Sequence, residues 1–164
     1  NPTPDFTYGI NTTFKYKAFD VNIDFAGCYG NEVFRVWGTS EQKNSLYNYP
    51  KNYTEGWTGA ATSNFVPIVN QKHLINRAPS TYGIEDGSYF RIRNLQVGYN
   101  VNPNVLKKVM IENLRVYANI QNLKTFKNNL GYTPEFGGGA TQFGVDNAGG
   151  AIPVVATFGI NVTF

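Results

Sequence analysis

The chain has 164 residues, a formal net charge of +3, one cysteine and one histidine, with 15% charged and 15% aromatic residues. The charge is small and scattered, so nothing demands nucleic acid, and a lone cysteine excludes an internal disulfide. No run of about eighteen apolar residues is present to form a membrane helix. Charged residues fall well under the usual quarter, while Gly, Asn, Tyr and Phe are abundant, a profile that suits a β protein with many turns and an unusual surface. The chain opens Asn1-Pro2-Thr3-Pro4, with neither an initiator Met nor a signal peptide, and reads as a piece of something longer.

Strict alternation of apolar and polar residues predicts strands with one greasy and one polar face. The first lies within residues 5–17, where Phe6, Tyr8, Ile10, Thr12, Phe14 and Tyr16 alternate with Thr7, Gly9, Asn11, Thr13 and Lys15. In the second, within 18–30, the apolar parity is odd: Phe19, Val21, Ile23, Phe25, Gly27 and Tyr29. A two-residue turn at Lys17-Ala18 reconciles the two parities. It pairs Tyr16 with Phe19, Phe14 with Val21, Ile10 with Phe25, and Tyr8 with Gly27, where the ring shields the glycine. Lys-Ala is not a favoured hairpin turn.

The third strand lies within 88–100. Leu95, Val97 and Tyr99 share one face, but upstream the apolar parity shifts to Phe90 and Ile92, which predicts a bulge or an exit from the apolar zone near Arg93. Pro103 near a helix start and the lysines that follow it predict one or two helical turns. The fourth strand, within 113–124, places Leu114, Val116, Ala118 and Ile120 opposite Arg115, Tyr117, Asn119 and Gln121. The fifth, within 153–164, is apolar at every even position from Val154 to Phe164. The long connections, near 31–87 and 125–152, alternate with short ones, as in outer-membrane barrels with short periplasmic turns and long extracellular loops.

A soluble sandwich also alternates. Lipid is favoured here by segments near eleven residues long, where soluble strands average about five or six. Aromatics at the strand ends (Tyr16, Phe19, Tyr29, Tyr99, Phe164) resemble an interfacial girdle, and the opposite faces are rich in Asn, Thr, Gln and Gly. Five strands cannot close a barrel, and an open edge in hydrocarbon costs several kcal/mol per unpaired backbone group. The segment therefore needs further strands beside it.

Several ordered motifs carry a resemblance. Asp86-Gly87-Ser88-Tyr89-Phe90-Arg91-Ile92-Arg93-Asn94-Leu95-Gln96-Val97-Gly98-Tyr99 resembles the "DGSYLRLKNVTLGY" signature of SusC/RagA-type TonB-dependent transporters of Bacteroidetes. Leu114 to Leu123 resembles the "LRVYLSGQNL" strand, Gly131-Tyr132-Thr133-Pro134-Glu135 the "GYDPE" turn, and Pro4 to Gly9 and Tyr16 to Asp20 the "PxFTYGL" and "YKGFDL" segments, with Ala18 where Gly is common. The resemblance implies an all-β chain, a transmembrane antiparallel β-barrel fragment supplying the last five strands of a barrel of about 22 strands in the outer membrane. It further implies a plug inside the barrel, TonB reached through a missing N-terminal region, a SusD-like surface lipoprotein as lid, and a glycan or peptide as substrate. The chain break before Asn1 would then lie in an extracellular loop.

The residues offer no catalytic constellation and no metal or cofactor site. His73 is the only histidine, which leaves no His pair. Cys28 reads as a small filler, and Gly137-Gly138-Gly139 as loop rather than phosphate cradle. Trp37, Tyr47, Tyr49, Tyr53 and Trp57 in the first long loop are candidates for contact with substrate or lid, since flat aromatics stack on sugar faces and peptide side chains. The competing reading is that they pack the loop. Arg91, Arg93, Arg115, Tyr117, Asn119 and Gln121 are expected to face the lumen or the plug, because charge facing lipid is costly. Phe158, Ile160, Val162 and Phe164 resemble the terminal signal by which outer-membrane barrels are recognised for assembly. The alternatives are a soluble β-rich carbohydrate-binding module, and a structural outer-membrane protein without transport.

Overall fold

The computed structural model describes residues 1–37, 54–68, 80–107, 110–135, 139 and 141–164. In chain order the described elements are β1 (Phe6–Tyr16), β2 (Phe19–Tyr29), β3 (Glu32–Arg35), a 3-10 turn at Thr81–Gly83, β4 (Ile84–Asp86), β5 (Tyr89–Asn100), α1 (Pro103–Leu106), β6 (Asn113–Lys127), β7 (Val145–Asp146) and β8 (Val155–Thr163). The chain divides into two compact units. One holds Asp5–Tyr29, Ser88–Lys127 and Ile152–Phe164; the other holds Asn1–Pro4, Gly30–Gly87 and Asn128–Ala151.

The first unit is a five-stranded antiparallel sheet in the order β1-β2-β5-β6-β8. The β1–β2 hairpin has the register that parity dictates, with Tyr16 opposite Phe19, Ile10 opposite Phe25 and Tyr8 opposite Gly27. Lys17 closes the turn at φ +53, a left-handed conformation that costs a residue with a Cβ about 1–2 kcal/mol. The apolar pairing set by eleven-residue strands outweighs it. The parity shift near Arg93 is a bulge. Phe25 pairs with Ile92 and Asp24 with Asn94, so Arg93 is skipped on the β2 side. On the β6 side Ile92 pairs with Lys124 and Asn94 with Gln121, leaving Asn122 and Leu123 opposite Arg93, and Asn122 sits at φ +54, a region Asn tolerates better than most residues.

β6 runs to Lys127, beyond the end expected near residue 124, because the bulge lets it follow β5 to Tyr89. The short helix is α1, entered at Pro103 and capped by Asn102, whose side chain accepts from the Asn104 amide at 2.9 Å.

No second layer covers this sheet among the described residues. Phe14 is 63% exposed and Phe158 82% exposed, and Phe6, Ile10, Phe19 and Ile160 are also exposed. Aromatic contacts bracket the aliphatic middle of the apolar face. At the end near the Lys17 turn Phe19 lies against Tyr99, with ring centroids 4.8 Å apart. At the other end Phe6 stacks on Tyr29 at 5.6 Å, Phe25 on Phe90 at 5.4 Å and Phe90 on Phe126 at 6.0 Å.

The second unit shows that the long connections are not featureless. β3 pairs antiparallel with β4 and parallel with β7, a three-stranded sheet in the order β4-β3-β7. Its interior is small and polar: Val33 is 1% exposed, and Arg35 and Asp146 are each 2% exposed.

Candidate functional site

The polar face of the larger sheet follows from the ladder. One row reads Asp20, Gly98, Tyr117, Gly159; the next reads Asn22, Gln96, Asn119, Thr157; the next reads Asp24, Asn94, Gln121, Val155. Arg91, Arg115, Tyr117, Asn119 and Gln121 therefore share the polar face of the sheet. Arg93 does not join that row; it is the bulged residue and is exposed.

Two glycines on this face make room for side chains that cross strands. A Cβ on Gly98 would lie 2.5 Å from Arg115 Nη2 and 2.6 Å from Asp20 Oδ1. The bare backbone lets Arg115 reach over β5 to Asp20, donating from Nη2 to Oδ2 at 2.5 Å and from Nε to Oδ1 at 3.2 Å, a two-pronged pairing that fixes the guanidinium plane. That plane also lies 5.3 Å from the Tyr117 ring centroid, and Tyr117 in turn covers Gly159, whose added Cβ would strike its ring. The result is a polar belt from β2 to β8. Arg115, read as a candidate for plug contact, is thus already paired within the wall.

Farther along, Arg91 is buried and donates from Nε to Thr125 Oγ1 at 2.8 Å. Between belt and Arg91 lies a field of neutral amides. Thr13 Oγ1 donates to Asn22 Oδ1 at 2.9 Å, Asn11 Nδ2 contacts Asp24, and Asn119 Oδ1 is buried without a partner among the described residues. Such a surface offers donors and acceptors with little net charge.

In the smaller unit the organising group is Arg35. Its Nε donates to Glu85 Oε1 at 2.6 Å and its Nη1 to the Trp37 carbonyl at 2.8 Å. Its guanidinium lies 5.2 Å from the Trp37 ring and 5.5 Å from the Tyr82 ring, and Trp37 stacks on Tyr132 at 6.4 Å. The other Glu85 oxygen accepts the Leu130 amide at 2.8 Å. Trp37 thus packs against Arg35 and Tyr132 within its own unit. Trp57 stands 44% exposed. Tyr47, Tyr49, Tyr53 and His73 lie outside the described residues. Cys28 is buried on β2. Among the described residues no helix is long and apolar enough to cross a membrane, which says nothing of crossing by strands.

Sequence reading missed Asp20, Gly98, Arg35, Tyr82 and Glu85. Asp20 and Arg115 are ninety-five positions apart, and only the ladder brings them together. The one available signal was Gly98 inside the third strand pattern, since a strand glycine marks close approach.

No family model matches the chain. The curated protein "TonB-dependent receptor P3" of Formosa agariphila is 34% identical over 175 residues, an alignment that takes in all of this chain and 17% of that protein. This chain is homologous to a segment of the TonB-dependent receptors. Among solved structures, the RagAB peptide importer in its open-open state superposes with a TM-score of 0.70 at 25% identity, over 99% of this chain and 17% of the other. The closed-closed state gives a TM-score of 0.76 at 24% identity, over 99% and 18%. This chain therefore spans about a sixth of the proteins it matches, and those proteins are named as receptors and importers rather than enzymes.

Proposed function

We propose that this chain is a wall segment of a TonB-dependent importer of the SusC/RagA type in the outer membrane, contributing five strands of its barrel together with two extracellular loops. The observation that carries the reading is the uncovered apolar face. Strands of nine to fifteen residues carry a largely apolar face with aromatic contacts at both ends, and nothing among the described residues covers it. In water such a face is an aggregation hazard; in hydrocarbon it is the solvated side. The same fact weighs against a soluble carbohydrate-binding module, as does the commitment of Trp37 to Arg35.

The edges β1 and β8 then continue into further strands of the same barrel, because an unpaired edge in lipid leaves backbone groups unsatisfied at several kcal/mol each. The polar face lines the lumen and meets a plug, and the loop unit meets a SusD-like lipoprotein lid. TonB acts through another segment of the full-length receptor. The cargo is a glycan or a peptide; likeness to a peptide importer supports the second.

The test is uptake in the native bacterium. Deletion of the full-length gene abolishes uptake of labelled oligosaccharide or peptide pools, and the intact gene restores it while a copy lacking the TonB-contacting segment does not. Equal uptake in all three strains contradicts the importer reading. A further expectation concerns the terminal residues Phe158, Ile160, Val162 and Phe164: deleting Phe164 lowers the outer-membrane level of the full-length protein on immunoblots, and an unchanged level removes its assembly role.

A further inference from the structure

The small sheet of the loop unit has two unlike faces. Residues directly opposite in a ladder share a face. One face carries Val33 opposite Glu85 and Arg35 opposite Asp146, and it forms the buried interior built around the Arg35–Glu85 pair. The other face carries a row of Ile84, Phe34 and Val145, and beside that row Glu32 stands opposite Asp86. Ile84 and Phe143 are exposed. A cavity of about 180 Å³ opens here, walled by Pro2, Phe34, Ile84, Phe143 and Val145, with the exposed Glu32 beside them. Gly144, at φ +75, brings its strand against Pro2, where a Cβ would strike. Every one of these residues belongs to the one unit.

Size and charge decide what fits this face. Apolar cavities of about 150 Å³ take up a benzene ring, so this one holds a single branched or aromatic side chain. Next to it, two carboxylates lie directly opposite on paired strands, an arrangement that is unfavourable on its own and that a cation placed between them relieves. Asp86 accepts from the Asn128 amide at 3.3 Å, and Glu32 accepts from the Asn1 nitrogen. In a longer receptor that nitrogen is a peptide N–H and carries no charge. The patch is too small for a protein face: a stable interface takes roughly 20–30 residues a side, and nine line this cavity. An apolar side chain with a cation beside it, on a short ligand, matches both features.

We propose that this cavity is a selectivity site for peptide cargo that takes an apolar side chain next to a lysine or arginine. The apolar side chain enters between Phe34, Ile84 and Phe143, and the neighbouring cation lies between Glu32 and Asp86. The inference rests on the importer reading and narrows its cargo to peptides carrying an apolar–basic pair.

The experiment measures fluorescence anisotropy of three labelled pentapeptides with the purified full-length receptor in detergent: Gly-Gly-Leu-Lys-Gly, Gly-Gly-Gly-Lys-Gly and Gly-Gly-Leu-Glu-Gly. The Leu-Lys peptide should bind roughly tenfold more tightly than the Gly-Lys peptide, from burial of one leucine side chain. It should bind roughly fivefold more tightly than the Leu-Glu peptide, from the exposed charge contacts. E32Q combined with D86N erases the preference for lysine and keeps the preference for leucine. E32K combined with D86K turns the charge preference toward the Leu-Glu peptide, a reversal that a disordered loop unit could not produce. Equal affinity of the unaltered receptor for all three peptides overturns the proposal, as does a full lysine preference in the E32Q/D86N variant. Loss of lid binding by that variant with its peptide affinities unchanged gives the face to the lid and also overturns it. If the three peptides bind alike while the native bacterium still shows uptake, the site falls and the importer reading stands. Absence of uptake in the intact strain overturns both.

Discussion

The two units of this chain solve opposite problems. The larger sheet has long strands and almost no interior: even β1 is exposed on both faces along nearly its whole length. The smaller unit has strands of two to four residues and an interior built around a charge, with Arg35 and Asp146 as buried as Val33. On the proposed reading the sheet takes its driving force from what surrounds it, apolar side chains on one side wetted by hydrocarbon and amides on the other wetted by water. The loop unit must hold itself together, and it does so by hydrogen bonds, an ion pair and stacked rings. Environment can stand in for a core where a surface is long and regular; where it is short and irregular, specific polar contacts must do it.

The largest effect expected is in the loop unit. Replacing Arg35 by Met leaves the half-buried Glu85 without its ion-pair partner, and breaking a buried pair costs about 3–5 kcal/mol, an upper bound here, enough to disorder a unit this small. In the full-length receptor, hydrogen exchange of residues 31–37 and 80–87 should accelerate by orders of magnitude while the strands of the larger sheet stay protected. Unchanged protection at 31–37 would mean that the unit does not depend on Arg35.

Next is a charge on the apolar face. Ile160→Lys should cost about 2–4 kcal/mol of barrel stability if Ile160 sits near the bilayer midplane, while Asn161→Lys, one position along, should cost little. Equal costs in a denaturant titration of the barrel in lipid would erase the difference between the faces.

The smallest effect expected is at Gly98. Gly98→Ala drives a methyl group into the Asp20–Arg115 pair, an overpacking penalty of about 1–3 kcal/mol. In the background of Arg115→Gln the same change should cost less, since the crowding arm is shorter and uncharged. A full penalty in both backgrounds would place the crowding elsewhere than at the ion pair.

How much of this was legible in the sequence follows the same division. In the sheet, period-two alternation is enough, because every residue has only two directions to face. It yielded the hairpin register at Tyr16–Phe19, Tyr8 over Gly27 and the irregularity at Arg93. It did not yield the end of β6 at Lys127, since the residues after Ile120 break the pattern where Asn122 turns left-handed. It did not yield the Asp20–Arg115 pair either, because face assignment says which residues share a side and not which of them touch. The loop unit was illegible for a simpler reason. Strands as short as Val145–Asp146 carry no period, and Arg35 in Glu32–Val33–Phe34–Arg35 looks like any surface arginine until β4 delivers Glu85 beside it. The aromatics of that loop were noticed, but Arg35 beside Trp37 is a partner that no spacing reveals.

The central claim is that hydrocarbon wets the apolar row. Nitroxide labels placed one at a time at residues 157 to 162 of β8 in the full-length receptor, reconstituted in a bilayer, test it most directly. The account predicts alternation: labels at Phe158, Ile160 and Val162 relax with oxygen dissolved in lipid, and labels at Thr157, Gly159 and Asn161 with a water-soluble nickel chelate. Uniform access to the chelate, or even-numbered sites closed to both agents, would contradict it.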